Sequence, residues 1–413
     1  MQSGRLEDAA RLWSQVLAAA PEHPQALFHL GQHKLMQKDQ AAALDLLERA
    51  AKADPAAPAI PLNVAFVYRA SGNTAAEIAA LDRALAIDPY FFPALLAKGT
   101  ALNRAGRRKL AAQVYKAALT IAPPDDQLVP EMRKQLELAR KNVAEDAEQL
   151  DRHLEARIEG FRSQQTVSGV RRAEMCKDVI LGRRKVYVQQ PSMLHFPELP
   201  AIQFYDREMF DWLLALEACT DAIRAEFLNA YGKDNGAFVP YVDHPEGAPL
   251  NQWQELNRSS RWSVLFLWKD GQRMDEACAR CPVTAAAVEA APQAHIPNFA
   301  PTANFSVLAP RTRIPPHTGS TNVRLIVHLP LIVPDGCTYR VGNETRVWEE
   351  GKAWVFDDTI EHEAWNGSDE PRVILMFDIW NPLLSPAERQ VISALLNGLQ
   401  SYYGADAPVQ FGG

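Results

Sequence analysis

Cysteine is scarce in this sequence, and so are long apolar runs and any surplus of positive charge. The five cysteines among 413 residues, Cys176, Cys219, Cys278, Cys281 and Cys337, form an odd and sparse set. Such a set excludes a disulfide framework and suits a reducing compartment. Cys278 and Cys281 make a Cys-x-x-Cys pair, but no second ligand pair stands at a zinc-binding interval and no βαβ pattern surrounds them. They therefore read as reduced thiols. No stretch reaches the roughly 18 apolar residues needed to cross a bilayer, and the N-terminus lacks the charged-then-apolar pattern of a secretion signal. The expected location is the cytoplasm. A formal net charge of −7 excludes a general binder of nucleic acid or of anionic membranes, because such proteins need a cationic face to displace counterions. Short basic runs such as Arg107-Arg108-Lys109 and Arg183-Arg184-Lys185 read as solvated surface.

What the sequence does have is the composition of a globular protein, 47% hydrophobic and 23% charged, and a length that implies two or three domains. Its first third repeats itself. Pro21, Pro55, Pro89 and Pro123 are each 34 residues apart, Gly4, Lys38, Gly72 and Gly106 keep the same interval, and Ala50, Ala84 and Ala118 recur in register. A 34-residue period with small residues where helices cross and proline after the second helix is the signature of tetratricopeptide repeats. The segments "AALDLLERAAKADP" and "AEIAALDRALAIDP" are apolar on one helical face and end in Asp-Pro, which stops a helix. Residues 1–123 thus predict a half-repeat and three helix pairs, stacked into a solenoid whose groove grips a peptide or partner.

Residues 124–165 predict one long connecting helix: Met132, Leu136, Ala139, Val143, Ala147, Leu150, Leu154, Ile158 and Phe161 follow at steps of three or four. A third segment, 166–413, has a different texture, with its core at about 195–385. Apolar and β-branched runs at 263–268, 304–310, 322–333, 337–341, 352–356 and 372–380, separated by turn residues, spell an antiparallel sandwich or barrel of the jelly-roll kind. Helices are expected at 207–231 and 385–402, and Trp348, Trp354, Trp365 and Trp380 read as core aromatics. The fold class is multidomain α + β.

The sheet region carries His317, His328 and His362, with Arg324 and Arg372. Strand alternation puts Arg324, Ile326 and His328 on one face. His317 and His362 are 45 residues apart and Arg372 follows ten residues later. Histidine, distant histidine and arginine is the order of non-haem iron oxygenases that consume 2-oxoglutarate. Their usual site is two histidines and a carboxylate with open positions. Here the place of the carboxylate, two residues past His317, is glycine, Gly319.

These residues support a more specific comparison. The stretch "HTGSTNVRLIVHLPLIVPDGCTYRVGNETRVWEEGKAWVFDDTIEHEAW" and the following "RVILMFDIWNP" resemble the catalytic domain of the aspartyl/asparaginyl β-hydroxylase family over about 190–385. The family also carries tetratricopeptide repeats ahead of its oxygenase domain. The resemblance implies a double-stranded β-helix (jelly-roll) domain that binds Fe(II) through His317 and His362 alone, with Gly319 the family's own state. It implies 2-oxoglutarate as cosubstrate, its distal carboxylate on Arg372 with Ser306 assisting and His328 beside its other end. It further implies Arg324 near the substrate's carboxylate, dioxygen as oxidant, and hydroxylation of an aspartyl or asparaginyl residue, or a related small substrate, with the repeats presenting a peptide or protein. Two positions depart from the well-known animal enzyme, which has a second arginine where this chain has Ile326 and a lysine where it has Asn304. Two other functions follow from the same residues: an iron halogenase, in which the vacant ligand position admits chloride, and a scaffold whose barrel has no catalysis. The acidic residues Asp357, Asp358, Glu361 and Glu363 read as turn formers and as partners of His362 rather than as a replacement ligand.

Overall fold

A computed structural model of the chain describes residues 2–162, 166–232 and 237–403. Within them the chain forms two compact units, residues 1–183 and 184–413.

In the first unit the 34-residue period is a stack of helix pairs. Helix α1 (Gln2–Ala19) precedes α2 (Pro24–Met36) with α3 (Gln40–Ala53), α4 (Ala59–Ala70) with α5 (Thr74–Ile87), and α6 (Phe92–Arg104) with α7 (Arg108–Thr120). This is the half-repeat and three pairs that the period predicts. The turn inside each pair runs through a left-handed residue, Lys38, Gly72 and Gly106, at φ of 65°, 75° and 74°; glycine adopts this conformation without steric cost and Lys38 does not. Asp39 and Asn73 follow and cap α3 and α5 by accepting from the amides of Ala42 and Ala76. Ala50, Ala84 and Ala118 are fully buried, as helices that cross closely require. Gly99 is subject to the same constraint, since a β-carbon there would overlap the ring of Tyr115, which is itself fully buried. Gly99→Ala is therefore expected to destabilise the repeats by about 1–3 kcal/mol, although alanine is the better helix former. A urea melt followed by circular dichroism checks this, and a stabilised variant would contradict it.

The long helix is α8 (Pro130–Arg162). It begins six residues later than expected, because Pro123-Pro124 and a short 3-10 turn at Asp125–Gln127 occupy the start of the predicted span; residues 163–165 lie outside the described residues. Leu136 and Ala139 of its first half pack into one cluster with Tyr115 and Leu128. Its second half meets α9 (Val167–Ile180) through charges: Lys177 lies 2.6 Å from Glu155 and 3.4 Å from Asp151. Thus α9, placed in the second domain on sequence texture, belongs to the first unit.

The second unit holds β1 (Val239–Pro240), β2 (Trp262–Lys269), β3 (Gln272–Arg273), β4 (Ala303–Leu308), β5 (Thr312–His317), β6 (Arg324–Ile332), β7 (Cys337–Val341), β8 (Glu344–Val347), β9 (Trp354–Phe356), β10 (His362–Asn366) and β11 (Arg372–Trp380). The larger antiparallel sheet runs β1-β2-β4-β11-β6-β9, with β3 on β2, and the smaller runs β5-β10-β7-β8. The expected helix at 207–231 is two, α10 (Leu213–Ala218) and α11 (Thr220–Gly232). The break falls where the Thr220 hydroxyl donates to the Glu217 carbonyl at 2.6 Å, a local bond that competes with the helical ladder. Helices α12 (Asp275–Arg280), α13 (Pro282–Glu289) and α14 (Pro386–Tyr403) follow, and residues 404–413 lie outside the described residues. Cys278 and Cys281 are both buried, and the Cys278 thiol donates to the Leu267 carbonyl at 3.3 Å.

Both faces of the larger sheet are covered. Phe305, Val307, Leu325, Val327, Leu375 and Phe377 point one way, into a core shared with α11 and α13. The alternate residues Leu308, Ile374 and Phe356 point the other way, into a core shared with Ile314, Tyr339 and Ala364 of the smaller sheet. Trp348 and Trp380 are buried as expected, but Trp365 is exposed on the smaller sheet: it alternates with the inward Ala364 on β10.

Candidate active site

The alternation that buries apolar side chains between the sheets also delivers polar ones there. With Ile374 inward on β11, Arg372 and Asp378 are inward too; with Leu308 inward on β4, so are Ser306 and Asn304; Arg324 and His328 take the same face of β6. All six are buried.

The smaller sheet brings the two histidines together. His362 on β10 is the register partner of His317 on β5, and their ring centroids are 4.0 Å apart at an interplanar angle of 56°. Sequence reading predicted neither strand, since "TRIPPH" contains two prolines that break a ladder. β5 is an edge strand, where the missing N–H groups of Pro315 and Pro316 cost nothing. Each imidazole is oriented by its own chain: Nδ1 of His317 is 2.8 Å from the Pro315 carbonyl and Nδ1 of His362 is 3.0 Å from that of Ile360. A carbonyl only accepts, so Nδ1 carries the proton and Nε2 keeps a lone pair. Burial holds both rings neutral, lowering His317 to about 4 and His362 well below its usual value, with the neighbouring His317 adding to the effect on His362. Two neutral, oriented imidazoles are donors of the kind that a divalent transition metal takes. Among the described residues, no three His, Cys, Asp or Glu side chains converge as a metal cluster.

The space beside Gly319 is not a void. A β-carbon at 319 would overlap the carboxylate of Asp358, and the Gly319 amide donates to the Asp358 carbonyl at 2.7 Å. Asp358 is buried, its Oδ1 has no hydrogen-bond partner, and burial pushes its carboxyl up to about 7 against the pull of Arg324. The remaining acidic residues have other partners: Asp357 accepts from the amide and hydroxyl of Thr359, while Glu361 and Glu363 pair with Arg340.

Arg372 is the largest fully buried side chain among the described residues, and its Nε and Nη1 have no partners. It lies over the Trp348 ring at 4.9 Å, and burial lowers its pKa to about 10. A buried guanidinium without an acceptor costs several kcal/mol, which a bound carboxylate would offset by bidentate pairing. Ser306 lies on the adjacent strand, two register positions along and on the same face. Its oxygen accepts from the Trp262 indole at 3.0 Å, so its own proton remains free to donate. His328 completes this side: its ring is 5.0 Å from Tyr339 and 4.8 Å from Phe356, and its Nδ1 has no partner. These orphaned donors, beside two imidazoles, fit iron with a chelating oxodicarboxylate.

Arg324 meets a different environment. Its Nη1 donates to Asp378 at 2.8 Å and its Nη2 to the Ser320 hydroxyl at 3.1 Å, over the ring of Phe299. The charge of the cation expected beside the substrate is thus already balanced by a buried carboxylate, while its Nε has no partner. Sequence reading missed Asp378, although it alternates in step with Arg372 on β11, and it missed Asp358 as the neighbour of Gly319, which no local signal reveals.

The model of the aspartyl/asparaginyl β-hydroxylase family matches residues 217–382 and that of the tetratricopeptide repeat matches residues 1–58. The human and mouse proteins named aspartyl/asparaginyl β-hydroxylase are 27% and 26% identical over 95% of this chain. The chain spans about half of their length, 53% and 54%. The ornithine lipid ester-linked acyl 2-hydroxylase of Rhizobium tropici is 36% identical over 49% of this chain and 69% of its own.

Proposed function

We propose that this chain, which belongs to the aspartyl/asparaginyl β-hydroxylase family, is an Fe(II)- and 2-oxoglutarate-dependent dioxygenase. On this reading its second unit is a jelly-roll oxygenase domain that hydroxylates an aspartyl or asparaginyl residue of a peptide or protein, or a related small substrate. The observation that carries it is the pairing of His317 with His362, each with Nδ1 committed to a backbone carbonyl, between the same two sheets that bury the unpartnered guanidinium of Arg372.

The chain's own residues would do the following. His317 and His362 hold the ferrous ion through Nε2, and Arg372 with Ser306 holds the distal carboxylate of 2-oxoglutarate, with His328 beside the cosubstrate. When bound, iron with 2-oxoglutarate and dioxygen supplies the oxidation: the oxoacid loses carbon dioxide to become succinate, and one oxygen atom passes to a substrate carbon. The apolar walls, Tyr339, Phe356 and Trp348, exclude water and so strengthen the polar contacts. Asp358 can hold or release a proton at Oδ1 near neutral pH. The repeats would present a peptide or protein segment, since solenoids of this kind bind extended partners along their groove. A cytoplasmic location belongs to this reading, supported by the sparse and odd cysteine set.

The test is succinate formation by the full-length protein given Fe(II), 2-oxoglutarate and air, followed by proton NMR. The double variant His317→Ala, His362→Ala is expected to lose at least about a hundredfold, because no protein donor to the ion remains. Undiminished turnover in that variant would remove the histidines from the chemistry, and no turnover in the wild type would favour the scaffold.

A further inference from the structure

We propose that Asn304 selects the substrate of this protein, and that it selects a carboxamide side chain of a peptide over the isosteric carboxylate. The inference rests on the oxygenase reading above and extends it to substrate class.

Asn304 is completely buried, and neither its Oδ1 nor its Nδ2 has a hydrogen-bond partner. Its backbone is held in the middle of the larger sheet, in register with Phe266 on β2 and Met376 on β11. Neither neighbour has a side-chain nitrogen or oxygen. The next residue across, His328 on β6, also has an unpartnered Nδ1. An amide buried without partners has given up its hydrogen bonds to water and gained none in return. Two orphaned groups on one fully buried side chain, turned into the space between the sheets, mark a position that a ligand completes.

Asn304 follows Ser306 along β4 on the side away from the Arg372 row, so it stands beyond the residues assigned to the distal carboxylate of 2-oxoglutarate. That places it toward Asp378 and Ile326, which are register partners. The charges there decide what it can accept. Arg372 is taken by the cosubstrate, the charge of Arg324 is balanced by Asp378 although its Nε has no partner, and Asp358 supplies no positive charge in either protonation state. Ile326, between Arg324 and His328 on the same face, adds none. A substrate carboxylate arriving here would be a buried anion with no uncompensated cation, which its desolvation disfavours. A carboxamide instead brings both an N–H donor group and a carbonyl acceptor to Asn304, which presents the same two kinds of group.

The test uses two synthetic peptide libraries, identical at every randomised position, with a central asparagine in one and aspartate in the other. Full-length protein with Fe(II), 2-oxoglutarate and air is expected to give at least about tenfold more singly oxygenated product from the asparagine library. Asn304→Lys supplies the missing cation and is expected to move that ratio at least about tenfold toward aspartate. Asn304→Leu keeps the volume, removes both hydrogen-bonding groups, and is expected to bring the ratio toward one, so the prediction survives a failure of the lysine variant to fold. A purely structural role would change yield and leave the ratio alone. Equal or greater product from aspartate, a ratio unmoved by either variant, or succinate formed with neither library modified would each overturn the proposal. Absence of succinate altogether would instead overturn the oxygenase reading beneath it.

Discussion

Replacing Arg372 with methionine is expected to make the protein free of 2-oxoglutarate more stable, while abolishing the further stabilisation that 2-oxoglutarate confers. The two effects have one cause. Arg372 is buried with Nε and Nη1 unpartnered, its main compensation being the Trp348 face at 4.9 Å. A cation over an aromatic ring returns about 2 kcal/mol when desolvated, less than the several kcal/mol lost on burying the charge. Methionine fills a similar space with no charge to desolvate, so a gain of about 2 kcal/mol is expected, seen as a transition raised by a few degrees. The ligand loses its bidentate partner, which at about 3 kcal/mol is roughly a hundredfold in affinity. Differential scanning fluorimetry under nitrogen, with ferrous ion and with or without 2-oxoglutarate, reads both effects. An unchanged ligand-induced shift would take the distal carboxylate away from Arg372, and a destabilised ligand-free variant would show that the guanidinium is held by contacts stronger than the ring.

The second large effect concerns Gly319. Gly319→Asp, which on paper restores a two-histidine, one-carboxylate site, is expected to inactivate the protein. The new β-carbon would overlap the Asp358 carboxylate, and two carboxyls forced together in a buried place cannot both ionise. Overpacking of this kind costs about 1–3 kcal/mol. Gly319→Ala should lose a similar amount, because the obstacle begins at the β-carbon, and Asp358→Ala should recover much of that loss when combined with it. Urea unfolding of the two single variants and the pair gives the coupling directly. If Gly319→Ala is as stable as the wild type, the close approach of Asp358 does not govern this position.

The sequence alone specified the elements whose information is local. The 34-residue register brings a turn residue and a helix-ending proline in each pair, with a side-chain cap and an Asp-Pro stop in two of them, so the helix pairs could be read without any knowledge of packing. The strands β7 and β11 appear at the expected residues, 337–341 and 372–380, because β-branched and aromatic runs bounded by turn residues leave few alternatives. The order His317, His362, Arg372 was equally legible. Tertiary structure decided the rest. It made strands of Thr312–His317 and His362–Asn366, which local propensity does not favour, by giving the proline-bearing one an edge and pairing it with the other. It set Asp358 against Gly319 across 39 residues and Asp378 against Arg324 across 54, and left Asn304 and Arg372 buried without partners. Which polar groups end up matched or orphaned depends on strand register between distant segments, a property that no window of sequence contains.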